Sequence, residues 1–316
     1  MMFTPHRFIH TSKVEISTTK IIPPRKFVKL VQVGPRDGLQ NIKTKILTPQ
    51  VKARYINLLL RAGFKDIEVG SFVSDSVAQM KSTPEVLNFI ERVPRTNLIV
   101  LVGNKRYAEI AADYQILNTF AVFTAVSESF CEKNNGCTID KNLEKIRGIA
   151  HVASSRGLFL RGYVSCVFGC PFEGYNQDKF VEKTILVVKQ LLDLGCYEVS
   201  IADTIGTADA MSVIFTLSAL RRSGIDMKKI AIHLHDPLGN AYDSLTAALY
   251  GGVSIIDCAS GGMEGKIFGG CPSVKTPSSN IDTTTVLETL QKHNFDHCVT
   301  NVLANSYAAR YIQDEI

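Results

Sequence analysis

Eight short runs of apolar, largely β-branched residues recur along this chain, each separated from the next by a stretch of helical periodicity. They are VKLVQVG (28–34), IEVGSF (67–72), NLIVLVG (97–103), TFAVFTAV (119–126), LFLRGYVSCV (158–167), YEVSIAD (197–203), IAIHLHD (230–236) and VSIIDCA (253–259). Strands that are apolar almost throughout, with a helix between neighbours, imply a parallel sheet covered on both faces. The helices are legible too. Thr48 reads as an N-cap with Pro49 at the first helical position, where its missing N–H costs little. Val51, Tyr55, Leu58, Leu59 and Ala62 make one apolar face, and Gly63 can end the helix in the left-handed conformation. Asp178 with Gly195, and the 240–253 segment with Gly252, repeat the scheme. Eight such units without a break in composition favour a closed (β/α)8 TIM barrel with extra C-terminal helices over a doubly wound open sheet. Polar residues decide between them. Arg36 and Asp37, Glu68, Tyr163, Asp203, His233 and His235 gather at strand C-termini, where a barrel keeps its chemistry. The strand N-termini carry no comparable set.

Composition narrows the function. Hydrophobic residues are 45% and charged residues 21% of the 316, ordinary for a globular protein. No apolar run is long enough to cross a bilayer, so no membrane partner is expected. The net charge of +5 is mildly basic, and no Lys/Arg stripe interleaves with aromatics. That argues against nucleic acid and suits an anionic small-molecule substrate. Eight cysteines without a CxxC pair are neither a disulfide framework nor a Cys-based zinc site, and fit a reducing compartment. Residues 1–26 carry five Lys/Arg, frequent hydroxyls and Glu15 as the one acid. They read as a mitochondrial presequence, hence a matrix protein, or as a disordered basic tail. Residues 27–316 read as one barrel domain, expected as a homodimer.

Histidine is scarce, 7 in 316 residues, yet IHLHD spends two of them two apart. Alternate side chains of a strand share a face, so His233 and His235 point together, about 7 Å apart along the strand. They could hold one divalent ion or simply be satisfied by hydrogen bonds. VGPRDGLQN (33–41) closes the first strand, which neighbours the last in a closed barrel. Asp37 could give an anionic oxygen to the same ion, and Arg36 stands beside it as a functional group or a barrel-mouth ion pair. GPRDG lacks the spacing of a phosphate-binding loop. FGGCPSVKTPSSN (268–280) follows the eighth strand. Cys271 on a Gly-Gly loop can exchange a proton. Asn280 could add a neutral oxygen ligand, or belong to the cap of the helix that SSNIDTTTVLETL opens.

VGPRDGLQN, RGYVSCVFGCPFEG, GCYEVSIADTIG, HLHD and GGCP, in this order, resemble the hydroxymethylglutaryl-CoA lyase branch of a metal-dependent family of β/α barrels that includes condensing enzymes. The likeness spans roughly residues 28–300. It implies Asp37, His233, His235 and Asn280 as ligands of Mg²⁺ or Mn²⁺, Arg36 at the thioester carbonyl, and Cys271 as the catalytic thiol. Glu68, Asp203 and Tyr163 become helpers in acid–base chemistry or substrate binding, and Lys43 meets an anionic group of the substrate. Cys166 and Cys170 read as packing. The chain departs from the family in three places, one being the region after about residue 300, which matches poorly and lacks an expected terminal cysteine. About five extra residues precede Cys271, an insertion barrels tolerate in a loop, and Ile42 stands where an acidic residue is expected.

The implied reaction is cleavage of (S)-3-hydroxy-3-methylglutaryl-CoA to acetyl-CoA and acetoacetate, a step of ketone-body formation and leucine degradation. It needs removal of a hydroxyl proton, which a divalent ion assists. It needs stabilisation of a thioester enolate, which suits a guanidinium, and protonation of carbon, which suits a thiol. Mixed N/O ligation without thiolate favours Mg²⁺ or Mn²⁺ over structural zinc. Two alternatives are an acyl-CoA/2-oxo acid condensing enzyme and a catalytically impaired CoA-ester-binding barrel. The condensing enzymes usually carry a further regulatory domain for which a chain ending at residue 316 has no room, and they need no thiol.

Overall fold

The computed structural model describes residues 26–237, 239, 241–262, 264–265 and 278–316. Eight parallel strands close into a barrel: β1 Lys26–Gln32, β2 Asp66–Phe72, β3 Asn97–Val102, β4 Thr119–Ala125, β5 Phe159–Ser165, β6 Cys196–Ala202, β7 Ile230–His233 and β8 Ile255–Cys258. They pair in sequence order, and β1 pairs with β8 from Lys29↔Ile255 to Gln32↔Cys258, which closes the ring. Around it run α1 Pro49–Ala62, α2 Thr83–Leu87, α3 Lys105–Ala111, α4 Glu128–Asn135, α5 Ile139–Ser155, α6 Gln177–Asp193, α7 Ala210–Arg222 and α8 Ala241–Tyr250. Two short strands, β9 Glu264–Gly265 and β10 Ser278–Ser279, pair antiparallel. Then come α9 Thr283–Lys292, β11 Phe295–His297 beside the start of β1, and α10 Val302–Glu315 packed on α1. The expected TIM barrel with extra C-terminal helices is thus the fold. Among the described residues no helix is long and apolar enough to cross a membrane.

The local reasons hold with small corrections. The Thr48 side chain accepts from Val51 N–H, and α1 ends at Gly63 with φ 106°. A Cβ at Gly63 would meet Cys298 O at 2.8 Å, so the glycine also permits the close approach of the C-terminal segment. The cap of α6 is Asn176, one residue outside the helix, and Asp178 only sits in its first turn. The cap of α9 is Asp282, which leaves the preceding Ser/Asn cluster free for other work. Strand β7 stops at His233, short of the expected Asp236. The Asp236 side chain instead accepts the Ala241 N–H at the start of α8.

One apolar core lies between barrel and helices, and a second, smaller one lies inside the barrel: Val31, Val33, Ile99, Leu101, Ala121, Tyr163, Ala231 and Ile255. Beside that inner core runs a column of charge that the sequence reading missed. Lys29 pairs with Glu198 and lies 3.8 Å from Asp66. The Arg161 guanidinium, fully buried, donates to Glu198 Oε1 and Asp257 Oδ1, both at 2.6 Å. So the N-terminal half of the barrel does carry a polar set, contrary to expectation. The signal was there: Arg161, Glu198 and Asp257 each interrupt an otherwise apolar stretch, in LFLRGYV, YEVSIAD and VSIIDCA. Removing one partner of a buried pair leaves the others uncompensated. Arg161→Met is therefore expected to cost about 3–5 kcal/mol of stability, read from urea unfolding; a loss below 1 kcal/mol would show that the column is not stabilising.

Candidate active site

The loop after β1 winds into a short π-helical turn, Gly34–Gly38. It buries Arg36 and turns Asp37 to the C-terminal mouth of the barrel. Asp37 uses its oxygens differently. Oδ1 accepts from Arg36 Nη1 at 2.6 Å and Gln40 Nε2 at 2.7 Å. Oδ2 faces His233 Nε2 at 3.5 Å and His235 Nε2 at 3.6 Å. The two Nε2 atoms lie 3.1 Å apart. His235 is fixed from behind, its Nδ1 3.0 Å from the Thr204 carbonyl oxygen.

Asn280 arrives by backbone pairing. His235 and Asn280 form an antiparallel bridge, flanked by Ile281 N–H to Leu234 O at 3.0 Å and Asp236 N–H to Ser279 O at 2.8 Å. The Asn280 Nδ2 donates to Asp37 Oδ2 at 3.0 Å. A half-turn of the amide, which exchanges atoms of nearly equal size, puts Oδ1 in the same place.

This donor set fits a divalent ion. The ligand atoms of Asp37, His233 and His235 all lie within 4.8 Å of one another. Donors about 2.1 Å from an octahedral ion are ~3 Å apart along an edge, close to the separation of the two imidazole nitrogens. Two nitrogens converging on one carboxylate oxygen require positive charge between them, a proton or a cation. Charge balance points the same way. Along the connected ion pairs, Lys29, Arg36 and Arg161 face Asp37, Glu68, Asp66, Glu198 and Asp257, an excess of carboxylate that a divalent ion offsets. Burial alone would push the Asp37 carboxyl up, but Arg36 and the imidazoles hold it well below the usual range. Burial pulls His233 down, yet Asp257 and Asp37 outweigh it and raise it to about 9.

The other predicted residues divide. Glu68, wholly buried, accepts from Arg36 Nε and Nη2 at 2.7 Å and from the Tyr163 hydroxyl at 2.8 Å. Tyr163 therefore lies under Arg36 and His233, its ring edge-on to His233 at 6.0 Å, with its hydroxyl committed to Glu68. Asp203, 1% exposed, accepts N–H groups from Thr207 and Ala208 at 3.0 Å. Burial pushes its carboxyl up against those contacts. Lys43 is exposed on the loop leading to α1, and Ile42 is buried in the outer core. Cys271 lies outside the described residues. Cys166 and Cys170 are both packed in the outer core, where a hydrogen bond from Cys166, opposed by burial and helped by Ser127, lowers the Cys170 thiol to about 6. All seven described cysteines are free. Thr204, beside Asp203 just past β6, was legible as a mouth residue but not as the support of His235; sequence reasoning missed Asp257, whose partners lie on other strands.

Fold and site together define a (β/α)8 barrel with a candidate divalent-cation centre at its C-terminal mouth. The profile of the HMGL-like family matches residues 27–292, and the chain belongs to that family. It is 41% identical over 264 residues to the cytoplasmic 3-hydroxy-3-methylglutaryl-CoA lyase of Danio rerio, covering 83% of this chain and 75% of that one. It is 38% identical over 283 residues to the mitochondrial hydroxymethylglutaryl-CoA lyase of Bos taurus, covering 88% and 83%. The crystal structure of the HMG-CoA lyase from Brucella melitensis superposes with a TM-score of 0.85 at 34% identity, over 92% of this chain and 99% of that one.

The raised His233 sets a pH dependence. Its protonation stabilises the metal-free fold fully below 6.5, and that contribution is lost as pH climbs through about 9. Metal ligation requires the neutral ring, so metal binding at pH 7 releases a proton. Affinity for Mg²⁺ or Mn²⁺ is expected to rise with pH and level off near 9. Calorimetry in buffers of different ionisation enthalpy measures this; a pH-independent affinity would contradict it.

Proposed function

We propose that this lyase-family chain cleaves (S)-3-hydroxy-3-methylglutaryl-CoA to acetyl-CoA and acetoacetate, with a divalent cation at Asp37, His233, His235 and Asn280. The observation that carries the reading is the convergence of His233 Nε2 and His235 Nε2 on Asp37 Oδ2, with the Arg36 guanidinium held alongside. Mg²⁺ or Mn²⁺ there supplies Lewis acidity toward the substrate hydroxyl. The remaining work belongs to side chains. Arg36 faces the thioester carbonyl and stabilises the enolate. Glu68 and Asp37 grip three of its nitrogens, so the planar fork is set before substrate arrives. Tyr163 props Glu68 from below.

Asp203, buried next to His235 and pushed up by burial, is the acid–base group for the hydroxyl proton. Cys271 returns a proton to the enolate carbon. Lys43, exposed at the mouth, meets an anionic group of the CoA thioester. Residues 1–26, basic and rich in hydroxyls, support a cleaved presequence and a matrix location, with 27–316 as the single catalytic domain. Met211, Ile214 and Phe215 expose one apolar face of α7, surface that supports assembly as a homodimer.

Product analysis of the purified protein with hydroxymethylglutaryl-CoA tests the reaction. Acetoacetate is expected with Mg²⁺, is lost on chelation and returns with Mg²⁺ or Mn²⁺; condensation of acetyl-CoA with a 2-oxo acid instead would move the chain to the other branch. Arg36→Gln is expected to lower kcat on the order of 10²–10³-fold, as for a lost oxyanion donor. A variant within twofold of the wild type would remove Arg36 from the reaction.

A further inference from the structure

The second imidazole nitrogen of His233 faces a carboxylate to which the proposed reaction gives no role. Asp257 on β8 is the register partner of His233 on β7, so the two side chains project side by side into the barrel. Asp257 is held from the far side. Its Oδ1 accepts from Arg161 Nη2 at 2.6 Å, and its Oδ2 accepts from the Ser200 hydroxyl at 2.8 Å. The same Oδ2 lies 3.4 Å from His233 Nδ1. That nitrogen is buried and makes no closer polar contact among the described residues. We propose that Asp257, clamped by Arg161 and Ser200, is a positioning residue that holds the proton of His233 on Nδ1 and so leaves the Nε2 lone pair for the cation. The inference rests on the metal centre of the proposed function.

The argument is one of electrostatics in a closed space. A lone pair on Nδ1 aimed at a buried carboxylate oxygen is repulsive, whereas an N–H there is attracted. With the proton on Nδ1, Nε2 carries its lone pair toward Asp37 and His235. His235 reaches the same state through the Thr204 carbonyl. A carboxylate is the stronger acceptor, so it makes His233 the more electron-rich ligand of the two. Arg161 matters because it prevents Asp257 from turning away. Asp257→Asn is informative for the same reason. The Arg161 guanidinium attracts the amide oxygen, which sends the amide NH₂ to the position facing His233. There it donates to Nδ1 and moves the ring proton to Nε2, the wrong nitrogen for ligation.

The test uses the full-length protein with ¹⁵N-labelled histidine and Mn²⁺ or Mg²⁺ alone, with no substrate. In the Mg²⁺-loaded wild type, the long-range ¹H–¹⁵N spectrum is expected to show a protonated, pyrrole-type Nδ1 for His233. A pyridine-type Nδ1 would overturn the proposal without any variant being made. By calorimetry, Asp257→Asn is expected to bind Mn²⁺ about 10–100-fold more weakly, with its metal-free ring shifted to the Nε2–H form. A folded Asp257→Asn within twofold of wild-type affinity sinks the idea. Should that variant not fold, Ser200→Ala keeps both Arg161 contacts and removes only the hydroxyl that clamps Oδ2. It is then expected to bind more weakly, and unchanged affinity counts against the proposal. A wild type that binds no Mn²⁺ would instead sink the metal centre itself, so the two failures are told apart.

Discussion

The barrel depends on a continuous path of charge. It starts at the half-buried Lys29 and Asp66, passes through the buried Glu198, Arg161 and Asp257, and ends at His233, Asp37, Arg36 and Glu68 at the mouth. Each member alone would be costly to bury, and each is tolerable because its neighbours neutralise it. The path links what stabilises the fold to what equips the mouth. Arg161 fills the barrel interior and, through Asp257, sets the orientation of an imidazole two layers above. Burial would push the Asp257 carboxyl up, yet Arg161 and His233 hold it at about 2, so it is ionised throughout the physiological range. A barrel filled only with Val, Ile and Leu would be as compact but would have no means of aiming its upper residues.

A second constraint is that closure brings distant segments together at low cost. Asp37 follows the first strand and His233 ends the seventh, and only the β1–β8 pairing makes them neighbours across the mouth. Asn280 joins them because residues 279–281 hydrogen-bond to the backbone of 234–236, the extension of the strand that carries both histidines. Backbone pairing therefore fixes the amide's place.

Much of this was legible in the sequence because the physics is local. Apolar runs at regular spacing, Thr48-Pro49 and Gly63 at the ends of α1, and the shared face of His233 and His235 follow from strand and helix periodicity alone. The misses have a common cause. The end of β7 at His233, the choice of Asn176 over Asp178 as a cap, and the release of Ser279 and Asn280 from capping duty depend on partners far along the chain. Arg161, Glu198 and Asp257 were visible as charges in apolar strands. Their meaning was not, because nothing local says that three strands turn them toward each other. Tyr163 was expected to reach the substrate, and only the packing of β2 against β5 across the barrel assigns its hydroxyl to Glu68.

The sequence by itself determined the class of fold, the end of the barrel that carries chemistry, and the types of donor available there, since these depend on periodicity and on which side chains exist. Tertiary structure alone decided which oxygen of Asp37 faces the imidazoles, which nitrogen of each histidine faces the centre, and which buried charges sustain them. Those are questions of angles and of separations of a few ångströms between residues hundreds of positions apart, and only closure of the barrel sets such distances.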